Sequence, residues 1–355
     1  MVKKIVLING AFLTKKVTGV QRYAIDIISE IYKQKDNDYE FIVAVPNKII
    51  KNDYGFNIIY DDSQLRTYLW QQLRLPLLVN RVKADILWNP CNEGPIFLNV
   101  PQIINIYDAS VYAQNKWFDW KFTLYYKFMI KIFGKIAAKI ITCSEFSKEE
   151  LVKYRICNES KIKVVYPSVS DFFINNINSV NEKQNYIISV GSIDPRKNIK
   201  SLIRAWGLIK PKIRKNYKLL IIGGEYKIFR KEKIKLEENI IFTGYLSDDE
   251  LIKTYKTASL FVYPSFYEGF GIPPLEAMAS GCPCVVSNVA SLPEVCGDGA
   301  YYVNPYDVED IARGIEIVLS DEKLRENLVK KGFENIKRFS WQRSAKEVLE
   351  IMKSL

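Results

Sequence analysis

The stretch "SLFVYPSFYEGFGIPPLEAMASGCPCVVSN", residues 259–288, predicts a strand, a loop, a helix and a second strand in direct succession. The first apolar run ends at Tyr263, and Pro273 and Pro274 suit the first turn of a helix that stops at Gly281. Apolar runs without polar alternation, joined by a helix, are typical of parallel sheets that are covered on both faces. We therefore predict a β-α-β unit here.

The same alternation of strands and helices continues in both directions along the chain. In the second half, further strands are predicted at "NYIISVG" (185–191), "KLLIIGG" (218–224), "NIIFTG" (239–244) and "GAYYVN" (299–304). In the first half, they are predicted at "KIVLING" (4–10), "EFIVAV" (40–45), "DILWN" (85–89), "QIINIYD" (102–108) and "AKIITCS" (138–144). The predicted fold class is therefore α/β, with two Rossmann-like, doubly wound domains.

A polar, asparagine-rich segment divides these two halves. It covers residues 168–184 and predicts a linker between an N-terminal domain, 1–167, and a C-terminal domain, 185–339. Binding loops follow the carboxyl ends of parallel strands, so we expect the two sheets to face a common cleft.

The composition of the chain excludes several catalytic mechanisms and indicates its compartment and partners. The 355 residues include no histidine, which excludes Ser-His-Asp and Cys-His catalysis, histidine bases and histidine metal ligands. The six cysteines show no paired framework, as expected in a reducing compartment. No apolar run approaches the ~18–20 residues that span a bilayer, so we expect a cytoplasmic protein. The net charge of +11 favours acidic partners: nucleic acid, anionic lipid or phosphorylated substrates.

Two glutamates flank the predicted helix start in the opening stretch. Free backbone N–H groups there, preceded by Gly269-Phe270-Gly271, predict an anion site suited to a diphosphate. Glu276, expected within the first turn, can accept hydrogen bonds from ribose hydroxyls. Glu268 is expected on the other side of the phosphates, near a sugar.

Cations to balance these carboxylates occur in "GSIDPRKN", residues 191–198. Arg196 can bind phosphate oxygens in a bidentate manner, and Lys197 can neutralise them as a point charge. The alternative is a solvated helix start with two surface cations. The nearby pair of glutamates makes that alternative weaker.

The stretch 263–283 resembles the signature of the family 4 retaining glycosyltransferases, in which two glutamates separated by seven residues mark the donor site. Further similar motifs fall in the family's order: "TGVQRY" (18–23), "WQQLRLP" (70–76), "DILWNPCNEGP" (85–95), "TCSEFSKEEL" (142–151), "GSIDPRKN" (191–198) and "FTGYLSDDEL" (242–251). The resemblance covers nearly the whole chain. It implies a GT-B fold, with the C-terminal segment 340–355 packing back on the first domain.

The resemblance also implies roles for individual residues. It assigns Glu268 to the donor sugar and its developing positive charge, Glu276 to the ribose, and Arg196 with Lys197 to the diphosphate. Further donor contacts are implied for the amides of Gly269, Phe270 and Gly271, for Gly19 as a site of close approach, for Gly244, Tyr245 and Leu246 beside the base, and for Tyr107, Asp108 and Ser144.

At three positions, the residues of this chain modify what the resemblance implies. Relatives usually have histidine-aspartate where this chain has Tyr107-Asp108, so we expect Tyr107 to alter the choice of sugar. Relatives often have an arginine where this chain has Ser192, which leaves phosphate binding to Arg196 and Lys197. Ser144 begins a predicted helix, where serine is more often only a cap.

The implied reaction is hexosyl transfer with retention, without a cofactor or a metal. GDP-mannose is the favoured donor, followed by dTDP-rhamnose or a UDP-hexose, and the implied acceptor is a polyprenyl-diphosphate-linked glycan of O-antigen or other surface polysaccharide. The acidic "SDDE" (247–250) favours a helix cap over a metal site. Open alternatives are a catalytically silent GT-B scaffold subunit and a nucleotide-sugar 2-epimerase. A nucleic-acid partner is not expected, since no recognition motif appears.

A basic amphipathic helix is predicted within 116–139. One stripe carries lysines and another carries apolar residues: Lys127, Lys131, Lys135 and Lys139 on the first, and Tyr125, Phe128, Ile132 and Ile136 on the second. This pattern suits peripheral binding to an anionic membrane surface at the inner face of the plasma membrane. The alternative is an ordinary domain helix with a buried face and a solvated lysine face.

Overall fold

The computed structural model describes residues 3–46, 54–114, 117–170, 173, 182–224 and 239–355. The chain divides into two compact units. Unit 1 comprises Met1–Ala109, Tyr125–Pro167 and Ser340–Leu355, and unit 2 comprises Ser110–Leu124 and Ser168–Phe339. Each unit is built around its own parallel sheet.

The sheet of unit 1 has seven parallel strands in the order β3-β2-β1-β4-β5-β6-β7. They are β1 Lys4–Asn9, β2 Tyr39–Pro46, β3 Ile58–Asp61, β4 Ile86–Asn89, β5 Gln102–Asn105, β6 Lys139–Thr142 and β7 Ile162–Val164. The central strand β1 is buried from Val6 to Asn9, because helices cover both faces of a sheet of this kind.

Helices alternate with these strands along the chain. They are α1 Gly19–Gln34, α2 Thr67–Leu73, α3 Leu75–Val82, α4 Ser110–Ala113, α5 Trp120–Ile136 and α6 Glu145–Lys153, with short 3₁₀ turns at Gly10–Thr14 and Glu159–Lys161. By the division above, α4 and the first turn of α5 belong to unit 2. The fully buried Trp70 of α2 lies in one core cluster with Leu7 and Leu87 of the sheet.

The sheet of unit 2 has six parallel strands in the order β10-β9-β8-β11-β12-β13. They are β8 Gln184–Val190, β9 Lys218–Ile222, β10 Ile240–Gly244, β11 Ala258–Tyr263, β12 Cys284–Ser287 and β13 Ala300–Val303. Chain order reverses between β8 and β11, which pair directly. Such a switch point, beyond the carboxyl ends of the strands, is where open α/β sheets bind ligands.

The remaining helices follow in chain order. They are α7 Ile199–Leu208, α8 Pro211–Arg214, α9 Asp248–Thr257, α10 Ile272–Ala279, α11 Leu292–Cys296, α12 Val308–Ser320, α13 Glu322–Ile336 and α14 Trp341–Lys353, with 3₁₀ turns at Pro195–Lys197 and Gly297–Gly299. Trp206 of α7 and Ile315 of α12 are fully buried in the same core cluster on the sheet of unit 2. The final helix, α14, packs on α1 in unit 1, where the rings of Trp341 and Tyr23 meet edge-on at 5.4 Å.

The predicted α/β class with two doubly wound sheets is confirmed, and every strand quoted from the sequence is present. The predicted domain boundaries need one correction. The sequence places residues 110–124 in the first domain, whereas they group with unit 2. The physical reason is aromatic packing of Trp117 and Phe118 against unit 2 residues, described below. The predicted linker falls mainly on 171–172 and 174–181, outside the described residues.

The amphipathic pattern within 116–139 also needs correction. The helix runs from Trp120 to Ile136, so Lys139 is not part of it and begins strand β6 instead. The buried apolar residues of this helix are Met129, Ile130 and Phe133, whereas Tyr125 and Phe128 of the apolar stripe are exposed. Among the described residues, no helix combines the length and apolar character needed to cross a membrane.

Candidate functional site

The loop that follows β8 is organised by a buried aspartate. Asp194 caps the 3₁₀ turn Pro195–Lys197, accepting a hydrogen bond from the Arg196 amide at 2.9 Å. Its carboxylate also accepts from Ser192 Oγ at 2.7 Å and from Arg196 Nε at 3.3 Å. Asp194 thus fixes both the backbone and the side chain of Arg196. The sequence predicts a phosphate-facing loop but does not indicate that Asp194 supports it from within.

Lys197 lies at the centre of the candidate site. Its Nζ donates to both carboxylate oxygens of Glu268, at 2.8 and 3.0 Å, and to the Tyr263 hydroxyl at 2.6 Å. The Lys197 and Glu268 side chains are only 15% and 12% exposed. The residues at the ends of β8 and β11 are therefore joined by an ion pair that solvent screens weakly.

The electrostatics of this pair follow from its burial. Burial lowers the pKa of Lys197, but the nearby Glu268, Tyr263 and Asp194 outweigh burial and hold that pKa well above its ordinary value. Burial and the Glu268 charge raise the pKa of Tyr263, although Lys197 opposes them. The site therefore contains an ammonium group and a neutral phenol at neutral pH.

Serine hydroxyls fix the loop after β11 by hydrogen bonds to its carbonyl oxygens. Ser291 Oγ lies 2.9 Å from the Glu268 carbonyl oxygen and 2.7 Å from that of Phe270. Ser287 Oγ donates to the Ser265 carbonyl at 2.6 Å. The two binding loops are also tied to each other, because the Phe266 amide donates to the Arg196 carbonyl at 2.8 Å. Glu268 is thus fixed through its backbone as well as through Lys197.

Helix α10 begins directly after Gly271, which has a φ of +104°. This start corrects two expectations. Glu276 is the fifth helical residue, so it lies in the second turn and not in the first. Pro273 and Pro274 have no N–H, so only Ile272 and Leu275 of the first four helical residues can donate to an anion. The helix start is a weaker anion site than the sequence pattern indicated.

Glu276 is nevertheless oriented specifically. It is 8% exposed, and the Tyr255 hydroxyl of α9 donates to its Oε2 at 3.1 Å. Burial, followed by the Glu276 charge, raises the pKa of Tyr255 well above its usual value, so the phenol keeps its proton. Tyr255 gave no signal in the sequence, since a tyrosine on an amphipathic helix is ordinary core material.

The residues predicted beside the nucleotide base are at the end of β10. Gly244, with a φ of +72°, ends that strand, and the following Tyr245 is 58% exposed. A Cβ on Gly224, after β9, would overlap the Tyr245 ring. The Tyr245 ring is therefore in close contact with the Gly224 backbone. Leu246 beside it is half-buried.

Two aromatic residues from the segment before α5 also lie in this site. The Phe118 ring lies 5.3 Å from the Arg196 guanidinium carbon, within cation–π range. The Trp117 ring lies 5.7 Å from that of Tyr267, the residue next to Glu268. Both are almost fully buried. Sequence reasoning missed them because more than seventy residues separate them from the loops they contact.

The other predicted site residues belong to unit 1 and are described separately. Gly19 is the first residue of α1, behind the capping box of Thr18, and open space surrounds the position of a Cβ there. Ser144 is the N-cap of α6 and accepts from the Ser147 amide at 3.0 Å. Asp108 is half-buried just beyond β5.

Tyr107 is buried in unit 1. Its hydroxyl donates to the Pro90 carbonyl, and its ring meets the Tyr23 ring edge-on at 5.1 Å. Burial raises its pKa well above the usual value. The hydroxyl is thus already engaged by this unit's own backbone.

With this geometry described, comparisons with known proteins assign the family. The family described as "Glycosyl transferases group 1" matches residues 171–335, which contain both binding loops. The chain is 35% identical over 234 residues to the serotype-specific mannosyltransferase WbdA of Escherichia coli, an alignment that covers 60% of this chain and 28% of WbdA. It is 30% identical over 327 residues to the O-antigen chain mannosyltransferase RfbU of Salmonella typhimurium, covering 85% of this chain and 87% of RfbU. The chain belongs to the group 1 glycosyltransferases.

The comparison with solved structures supports the predicted fold. The structure of sucrose-phosphate synthase from Thermosynechococcus elongatus superposes with a TM-score of 0.75 over 99% of this chain and 98% of that protein, at 17% identity. Identity this low supports the fold alone. The predicted GT-B class is confirmed.

Proposed function

We propose that this protein is a retaining, metal-independent glycosyltransferase that moves a hexose, with GDP-mannose as the favoured donor, to a sugar hydroxyl of a lipid-linked glycan in O-antigen synthesis. The observation that carries the proposal is the Lys197–Glu268 ion pair beyond the carboxyl ends of β8 and β11. The mannosyltransferase names of the relatives support the choice of sugar. dTDP-rhamnose and UDP-hexoses are the next donors to test.

In this proposal, Arg196 and Lys197 bind the donor diphosphate. The bond between the anomeric carbon and the phosphate oxygen breaks, and the developing negative charge on the leaving group is stabilised by these two cations. Glu268 stabilises the positive charge that develops on the sugar. The acceptor hydroxyl attacks from the face that the diphosphate leaves, and the leaving phosphate takes its proton. Histidine is not required at any step.

Glu276 accepts hydrogen bonds from the ribose hydroxyls in this scheme. Its orientation by Tyr255 supports that role, because a fixed acceptor loses little entropy when a ligand binds. Gly244, Tyr245 and Leu246 border the base, where the exposed Tyr245 ring offers a stacking surface.

We further propose peripheral contact with an anionic membrane, where a polyprenyl-linked acceptor resides. Support comes from α5, on which Trp120, Leu124 and Phe128 form an exposed row at i, i+4 spacing, each at least 64% exposed. Lys121, Lys131 and Lys135 of the same helix are also exposed. Apolar side chains beside lysines suit the interface of an anionic bilayer.

The first test uses purified protein with GDP-, dTDP- and UDP-sugars in EDTA, without acceptor, and follows slow nucleotide release. We expect release from one donor, and loss of at least about 100-fold in Glu268→Ala, the range for removal of a group that stabilises transition-state charge. Glu316→Ala is the matched control, because Glu316 also pairs with a lysine, Lys210 at 3.3 Å, on a different part of unit 2.

The outcomes distinguish an active transferase from a silent scaffold subunit. Release that is lost in Glu268→Ala and kept in Glu316→Ala supports the transferase. If no donor is hydrolysed and no nucleotide binds, the transferase proposal is wrong and a silent scaffold subunit takes its place. NMR of the glycoside formed when a sugar acceptor is added decides between retention and inversion, because a free sugar interconverts between its anomers in water.

A further inference from the structure

Tyr263 is the last residue of β11 and is almost completely buried. Its ring stacks on that of Phe261 at 5.6 Å and is fixed by the sheet. The hydroxyl at the end of this rigid side chain lies 2.6 Å from Lys197 Nζ. It therefore contacts the residue proposed to bind phosphate without being exposed to a ligand itself.

The hydrogen-bonding capacity of Lys197 makes this contact informative. An ammonium group has three hydrogens, and three acceptors surround Nζ: the two oxygens of Glu268 and the oxygen of Tyr263. A phosphate oxygen that binds Nζ must then replace one of them. Tyr263 is almost completely buried, so a ligand cannot reach its oxygen, whereas Glu268 is partly exposed and is the acceptor that a ligand can replace.

We propose that Tyr263 is a positioning residue that holds Lys197 in place while the donor diphosphate displaces Glu268 from it. Donor binding then exchanges one anion for another on Lys197 and releases the Glu268 carboxylate toward the sugar. This inference rests on the proposed function and adds a residue and an order of events to it. Tyr263 acts through Lys197 and does not contact the donor.

A single substitution tests the hydroxyl alone. Tyr263→Phe keeps the ring that stacks on Phe261 and removes only the oxygen. Because a hydrogen bond to a charged group contributes about 1.5–3 kcal/mol, we expect GDP, dTDP or UDP, whichever the wild type binds, to bind at least about 10-fold more weakly. Tyr302→Phe is the matched control, since the half-buried Tyr302 hydroxyl of unit 2 also makes a hydrogen bond, to the Gly297 carbonyl at 2.6 Å.

A double-mutant cycle distinguishes positioning from general loosening of the structure. Isothermal titration with the same nucleotide is repeated for Lys197→Ala and for Lys197→Ala with Tyr263→Phe. If Tyr263 acts through Lys197, the second substitution has no further effect once the lysine is gone. A structural defect would weaken binding by the same factor in both backgrounds.

The results divide as follows. The inference is supported if Tyr263→Phe weakens nucleotide binding when Lys197 is present and has no effect when Lys197 is replaced by alanine. Thermal unfolding confirms that each variant is folded. Wild-type affinity in Tyr263→Phe, or equal losses in both backgrounds, overturns it while leaving the proposed function intact. A wild type that binds none of GDP, dTDP and UDP overturns the proposed function, and this inference with it.

Discussion

The buried Tyr255 hydroxyl donates to Glu276 Oε2 at 3.1 Å, and so connects helix α9 to helix α10 through one hydrogen bond. The two residues are 21 positions apart and belong to different elements. Glu276 is thereby oriented before any ligand arrives. The carboxylate that the sequence motif marks is thus held by a residue that the motif does not include.

Removal of this hydroxyl is expected to weaken nucleotide binding. In Tyr255→Phe, Glu276 keeps its charge but loses the donor that orients it. We expect the Kd for the nucleoside diphosphate to rise by about 10- to 150-fold, the range for one hydrogen bond to a charged group. Tyr186→Phe is the control, because the Tyr186 hydroxyl lies 3.4 Å from the Thr254 carbonyl of the same helix. Similar losses in both variants would contradict a specific role for Tyr255.

Two glycine substitutions should have opposite effects on stability. Gly271 has a φ of +104°, and a Cβ there would lie 2.7 Å from Leu292 Cδ2. Gly271→Ala should therefore destabilise unit 2 by about 1–3 kcal/mol. In Gly19→Ala, the added Cβ lies at the start of helix α1 and meets no atom within 4 Å. This substitution should be neutral or stabilising by up to about 1 kcal/mol. Denaturant titration measures both.

Gly19→Ala also tests the role of Gly19 as a site where a ligand approaches the backbone closely. If the donor or acceptor approaches Gly19 closely, Gly19→Ala will lower activity without lowering stability. Full activity in Gly19→Ala would contradict that role.

The Asp61–Arg74 pair in unit 1 predicts a pH dependence of stability. Burial raises the pKa of Asp61, but the Ser63 amide at 2.8 Å and Arg74 Nε at 2.9 Å outweigh it, and the pKa falls below the model-peptide 3.8. Between these two pKa values the unfolded chain binds more protons, so stability rises with pH there. The contribution is present above about pH 3.8 and is lost as the pH falls through the lower pKa of the folded state.

Asp61→Asn should thus be less stable than the wild type at pH 7 and should lose less stability on acidification below pH 4. Chemical unfolding at a series of pH values measures this difference. Asp62→Asn, an exposed neighbour, is the control. Parallel pH curves for the wild type and Asp61→Asn would contradict the prediction.

The exposed row on α5 predicts binding to anionic vesicles. Leu124→Ser with Phe128→Ser removes two side chains that are 67% and 66% exposed. We expect co-sedimentation with phosphatidylglycerol vesicles to fall at least about 10-fold, since each buried apolar side chain contributes about 1.5–3 kcal/mol. Leu208→Ser removes a leucine that is 57% exposed on α7 and should change nothing. Wild-type binding by the double variant would contradict a lipid-facing row.

Most of the fold was predictable from the sequence because its signals are local. Largely apolar strands such as β11, Ala258–Tyr263, and the helices between them define parallel, doubly wound sheets by spacing alone. Ser247 and Glu250 also form the helix cap that "SDDE" predicted, with the Ser247 amide 2.8 Å from Glu250 Oε2. The segment 110–124 was misplaced because its packing partners are distant in the chain.

The sequence by itself determined the two sheets, the loops at 191–198 and 264–271, and the ionisable residues that they carry. Only the tertiary structure decided how those residues are paired: Lys197 with Glu268 and Tyr263, Glu276 with Tyr255, and Arg196 with Asp194 and Phe118. Spacing along a chain specifies which face of an element is buried. Hydrogen bonds depend on distance and angle to within tenths of an ångström, and these are set when separate elements pack together.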